Sequence, residues 1–209
     1  MFLIWKSGEY LFDRLSDETV NRLHSMITEK KPDVYRMPDR FAVEQLTLVY
    51  ELSSRERIAL LNECAKKYNT VVNTYEPEKC TGLVGVKVLP PIEQQGDELY
   101  RIYAASRINL NVTMRSIETG VPQRVFDIMS VGGLVFSNYQ EEAEELFEDG
   151  KEIVLFSSLD EFTDKADYYI HHEEEALKVG ARGYLKVRDK YNYTESVKNI
   201  VKTVFPGFK

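Results

Sequence analysis

Arg115, Glu118, Gly120, Arg124 and Asp127 fall in one short stretch, within the run RINLNVTMRSIETGVPQRVFDIMSVGGLVFSN that spans residues 107–138. A guanidinium grips phosphate oxygens through two parallel hydrogen bonds, so Arg115 and Arg124 are candidates for holding an anionic ligand. Arg124 would sit in the first turn of a helix that opens near Pro122, where the positive end of the helix dipole disfavours a cation unless an anion arrives to share it. The plainer alternative is an ion pair with Glu118 or Asp127. Gly120 would permit either a close backbone approach by a ligand or a left-handed turn that needs none. Asp127, one turn further into the helix, could accept hydrogen bonds from both hydroxyls of a ribose, or could be an exposed helical acid. The spacing is neither GxGxxG nor GxxxxGK[ST], so no dinucleotide or phosphate-loop signature is present.

These residues need elements to position them. Residues 107–112 read as a buried strand, 113–121 as a polar loop, a helix follows from Pro122, Gly132 and Gly133 stop it, and 134–137 form a second strand. In open α/β sheets, ligands bind where loops converge at the carboxyl ends of strands and helix amino termini point free N–H groups into the crevice. Asn109 and Asn111 alternate with Ile108, Leu110 and Val112 and so share one face of the strand, where one of them is expected to hold the loop after Thr113 in shape. Strands are also expected at 70–75, 86–89 and 153–156, with helices at 97–105, 141–147, 160–171, 174–190 and 194–205. Short strands separated by helices imply right-handed crossovers and a parallel sheet. The fold class expected is α/β, a Rossmann-like three-layer sandwich with a parallel sheet of about five strands, preceded by a helical lead-in. That lead-in reads as a helix over 16–30 capped by Ser16 and an amphipathic run over 41–52, then Ser53-Ser54 and a helix over 55–68. The domain division expected is 1–52 and 53–209.

Composition narrows the function classes. At 209 residues with 43% hydrophobic and 29% charged residues, the chain resembles an ordinary globular protein. A formal charge of -7 argues against nucleic acid as a partner, because phosphate backbones are held by clustered Lys and Arg. Cys64 and Cys80 are isolated, which signals neither a zinc site nor a disulfide framework and fits a reducing cytoplasm. The apolar run before Lys6 is too short for a signal-peptide core or a membrane span, so no transmembrane segment is expected, while peripheral docking stays open. His171-His172 before Glu173-Glu174-Glu175 looks like a metal cluster. Adjacent helical residues diverge by about 100°, however, so a solvated helix junction is the better reading. No Ser-His-Asp or Cys-His arrangement has spacing support.

The block ASRINLNVTMRSIETGVPQRVFDIMSVGGLVFSN, with LFEDGKEIVLFSSLDEF and the helices after it, resembles the carboxyl-terminal donor-binding domain of GT-B glycosyltransferases. The likeness is to the group 1-like set that includes spore-maturation-type enzymes, and it covers about residues 53–209. The resemblance implies a domain that binds a nucleotide-sugar, with a UDP- or GDP-sugar as donor substrate, no cofactor and no metal. Carried over, Arg115, Glu118, Gly120 and Arg124 fall on the diphosphate and sugar side and Asp127 on the ribose. Many relatives carry Glu-x7-Glu, whereas here Thr119 stands eight positions before Asp127, Glu118 is one step off, and the second acid is Asp. The Arg/Lys pair that many relatives place earlier on the diphosphate has no clear counterpart in the sequence.

The acceptor-binding domain of such enzymes is itself a full Rossmann unit and does not fit in residues 1–52. The expectation is therefore the donor half of a glycosyltransferase, acting on an acceptor glycan or other hydroxyl acceptor with a missing amino-terminal acceptor domain and inactive alone. Its catalytic residues are unknown. The rival from another class is a non-catalytic binding or scaffold module that keeps the fold without glycosyl transfer. A weaker third is another Rossmann-like nucleotide binder such as an epimerase.

Overall fold

A computed structural model describes residues 50–92, 96–114, 117 and 119–205. The helical expectations over 16–30 and 41–49 lie outside the described residues. The first described element, α1 (Tyr50–Lys67), runs without interruption through Ser53 and Ser54, where the sequence suggested a break. Ser53 is buried, so the chain there is packed down as part of the helix rather than looped out to water. Then follow β1 (Val71–Asn73), a 3₁₀ turn (Pro77–Lys79), β2 (Lys87–Leu89) and α2 (Asp97–Ala105). The central unit is β3 (Asn109–Asn111), α3 (Gln123–Ser130) and β4 (Val135–Asn138). The chain closes through α4 (Glu141–Leu146), β5 (Val154–Phe156), α5 (Leu159–His171), α6 (Glu173–Lys190) and α7 (Tyr193–Val204).

All five expected strands are present and all pair in parallel, divided between two ladders, β1-β2 and β3-β4-β5. The division follows burial. Val71 of β1 is 44% exposed, whereas every residue of β5 is buried, so only the three-strand ladder has both faces covered. Alternation along those strands sorts the core into two layers. Phe136, Val154 and Phe156 face Phe162, Ala166 and Tyr169 of α5, Val179 of α6 and Leu60 of α1. Val135, Ile153 and Leu155 face Val125, Ile128 and Met129 of α3, with Ala143, Phe147 and Val187. The rings interlock edge to face, Phe136 against both Phe162 and Tyr169. This is the Rossmann-like layered α/β arrangement.

The helix stop at Gly132 and Gly133 decides how closely the layers approach. Gly132 adopts φ +74, and Gly133 N–H donates back to Ile128 O at 3.0 Å, which closes α3. Against that corner lies α6, whose Gly180 is buried on the Gly132 carbonyl. Ser158 and Asn192 cap α5 and α7 through their side chains, accepting from Glu161 and Glu195 N–H. Among the described residues, no helix is long and apolar enough to cross a membrane.

Candidate functional site

The carboxyl end of β3 is held by side-chain hydrogen bonds. Asn111 is fully buried and its Nδ2 donates to Thr113 Oγ1 at 3.1 Å and to Ser137 Oγ at 2.9 Å. Thr113 N–H donates to Asn138 Oδ1 at 2.7 Å, while Asn138 Nδ2 donates to Thr113 O at 3.2 Å. The Asn138 amide thus continues the β3-β4 ladder by one step with a side chain in place of backbone, and the loop leaves the sheet in a fixed direction. The expectation that an asparagine of β3 shapes the loop after Thr113 is met by Asn111. Asn109 serves the other end of the strand, donating to Tyr103 O at 3.0 Å.

A cation the sequence reading passed over arrives at this edge. Arg57 of α1 donates from its guanidinium to Val112 O at 3.2 Å, across 55 residues of sequence. Partial desolvation holds the Arg57 guanidinium below its ordinary value, and the positive charge of Arg124 pushes it the same way. Arg57 and Arg124 therefore share one neighbourhood at the carboxyl end of β3. Among the described residues, neither forms an ion pair with a carboxylate. Two like charges brought together without a counter-ion repel, and an anion placed between them relieves that repulsion. The only hint in the sequence is a basic residue next to the apolar face of a helix, a commonplace pattern, so nothing local distinguished Arg57.

Arg124 lies in the first turn of α3, as expected. That turn contains no acidic residue and no side chain caps it, whereas α2, α4, α5, α6 and α7 all open with acids. The amino terminus of α3 is thus left positive, with uncapped amides and an added guanidinium. Asp127, one turn on, is half-buried. Burial pushes its carboxyl above the usual range, against the opposing hydrogen bond from the Gln123 side chain. Among the described residues, Arg124 and Asp127 form no ion pair with each other. Tyr103 of α2 packs beside this turn. Burial raises its phenol, with the nearby Arg124 charge opposing and the Asp127 charge reinforcing.

Gly120 has φ +101, the left-handed turn the sequence allowed for. A Cβ built there would meet nothing within 4 Å, so the glycine answers to backbone conformation rather than to crowding. Its N–H donates to the carboxylate of Glu142, in the first turn of α4. Arg115 and Glu118 lie outside the described residues. Gly120, Arg124 and Asp127 all lie on the chain between β3 and the middle of α3, with Arg57 and Tyr103 joining Arg124 from α1 and α2. The histidine pair is a helix junction: both rings are exposed, His171 Nδ1 meets Asp167 O at 2.8 Å and His172 Nδ1 meets Tyr168 O at 2.7 Å. Among the described residues, no group of three or more His, Cys, Asp or Glu could hold a metal ion.

The sequence family described as glycosyl transferase-like matches residues 48–202. Solved structures share the fold at low identity. HepE from Anabaena, solved in complex with UDP-glucose, is 13% identical with a TM-score of 0.55, over 70% of this chain and 43% of that one. The carboxyl-terminal domain of LpcC, a glycosyl transferase group 1 family protein from Francisella tularensis, is 18% identical with a TM-score of 0.51, over 68% of this chain and 80% of that one. A glycosyltransferase from Rickettsia africae is 12% identical with a TM-score of 0.57, over 94% of this chain and 54% of that one. The chain thus spans about half or less of the Anabaena and Rickettsia proteins. No curated protein matches it.

Proposed function

Because this chain belongs to the glycosyl transferase-like family, we propose that it binds a nucleotide-sugar donor, with UDP or GDP as the nucleotide, and forms the donor half of a glycosyltransferase. One observation carries the reading: Arg57 is hydrogen-bonded at the carboxyl end of β3, within range of the Arg124 charge on an uncapped helix amino terminus, with Asp127 one turn further in. Two guanidinium groups and free amides suit a diphosphate, and a carboxylate at that distance suits the ribose hydroxyls. Arg115, Glu118 and Gly120 are proposed on the diphosphate and sugar side, as the family resemblance implies. The solved HepE complex contains UDP-glucose, which supports a donor of this class.

In the transfer, the bond from the sugar's anomeric carbon to the diphosphate oxygen breaks. The acceptor hydroxyl oxygen forms the new bond, and its proton leaves to a base. Negative charge grows on the departing diphosphate. Arg57, Arg124 and the first amides of α3 face that charge and need no reorganisation as it develops, which lowers the barrier. The base and the acceptor site are proposed to come from an acceptor-binding domain. The apolar stripe of α7 supports such a partner: Tyr193, Val197, Ile200 and Val204 recur at helical spacing, all are exposed, and no residue of α7 is buried.

Calorimetric titration with UDP, GDP, ADP and their sugars tests the reading, and at least one is expected to bind below millimolar. Asp127→Ala is expected to weaken that nucleotide about tenfold and to erase its preference over the 2′-deoxy form, since two hydroxyl bonds to a carboxylate are lost. Because burial raises the Asp127 carboxyl and the ribose needs the ionised form as acceptor, affinity is expected to decline on acidification earlier than for an ordinary carboxylate. Asp127→Ala removes that decline. If no nucleotide binds below millimolar, the donor reading is wrong and a scaffold role takes its place.

A further inference from the structure

We infer that Glu142, which the family resemblance did not single out, is the carboxylate that reads the hydroxyl groups of the donor sugar; this rests on the donor reading above. A glutamate in the first turn of a helix ordinarily turns back on its own free amides. Glu142 instead reaches across 22 residues of sequence and accepts the N–H of Gly120 through Oε2. It is half-buried, and among the described residues no cation neutralises it. Oε1 has no hydrogen-bond partner there either, so one acceptor oxygen is left over at the loop.

Position and chemistry fix what that oxygen can serve. Gly120 precedes Gln123, the first residue of α3, by three positions, so its Cα is within about 11 Å of the anion-binding end of the helix. A carboxylate repels phosphate and accepts from hydroxyls, so the group it favours beside a diphosphate is the sugar attached to it. The Gly120 amide holds the carboxylate in place, and the left-handed turn there is uncrowded, since a Cβ would meet nothing within 4 Å. Residue 142 also offers what the spacing before Asp127 withholds, because Thr119 rather than an acid stands eight positions ahead of it.

The test compares affinities for UDP and UDP-glucose, and for GDP and a GDP-hexose, in the full chain and in two variants. Glu142→Gln keeps an oxygen for the Gly120 amide and removes the charge; Glu142→Ala removes both. The wild type is expected to bind one sugar nucleotide more tightly than its bare nucleoside diphosphate. Glu142→Gln is expected to cut that ratio about tenfold, and Glu142→Ala at least as much, the loss of a charge-assisted hydrogen bond. A purely structural role in holding the loop would lower both affinities by the same factor and leave the ratio unmoved, which overturns the inference. So does a ratio that survives both variants, or a wild type that gains nothing from the sugar. A wild type that binds no nucleoside diphosphate overturns the donor reading itself and is told apart by that first titration.

Discussion

Gly180→Ala is expected to lower the unfolding free energy by about 2 kcal/mol or more, although alanine is the better helix former by about 1 kcal/mol. The reason is the contact geometry. A Cβ at residue 180 would stand 2.3 Å from the Gly132 carbonyl oxygen and 3.3 Å from its carbon, and both are backbone atoms of the turn that ends α3. A flexible side chain could swing away, but this turn cannot, because Gly132 is at φ +74 and Gly133 is itself closed in by Ile128 and Asn109. Relief must come from moving α6 off the sheet, which opens both core layers, since Val179 packs in one and Val187 in the other. In a domain of this size the loss corresponds to a fall in melting temperature of about 4–8 °C, read by thermal denaturation followed by circular dichroism. Gly183→Ala meets the Glu152 carbonyl oxygen at 2.7 Å and is expected to be destabilising by a smaller amount. A Gly180→Ala protein as stable as the parent would show that helix propensity governs this face and that the close approach of α6 is not a constraint.

The second large effect is on ligand binding. Arg57→Ala and Arg124→Ala are each expected to weaken the preferred nucleoside diphosphate about tenfold or more, and the double variant by less than the product of the two single losses, because each removes charge-assisted bonds to the same group. The two losses should not add fully, since both side chains act on one anion. Lysine at either position keeps the charge and loses the paired N–H geometry, so it should restore part of the affinity and leave a steep salt dependence. Titration calorimetry at two salt concentrations measures both. Melting curves provide the control: Arg57→Ala loses the bond to Val112 O and also the repulsion from the Arg124 charge, so its fold is expected to hold. Two single variants that bind nucleoside diphosphate as the parent does would remove the basis for the candidate site.

Much of the fold was legible because local signals agreed with one another. Each helix from residue 97 onward lies within one or two residues of its expected bounds, since caps, acidic first turns and apolar spacing coincide at Ser158, Asn192 and the Gly132-Gly133 stop. The break read at Ser53-Ser54 failed for the converse reason. Serine inside a helix costs only about half a kcal/mol, and packing of α1 against the sheet, with Leu60 in the core, outweighs it.

Within the candidate site the same line can be drawn. The sequence alone determined that a strand, a left-handed glycine and an arginine-led helix follow one another from Asn109 to Asp127, because each depends on neighbours a few positions away. Only the tertiary structure decided that Arg57 comes to Arg124 and Glu142 to Gly120. The hydrogen bonds that carry them there, Arg57 to Val112 O and Gly120 N–H to Glu142, span 55 and 22 residues and exist because parallel strands bring the ends of remote helices to one edge of the sheet. A residue's charge is written in its side chain, but which other charge it must face is set by the crossovers that carry it there.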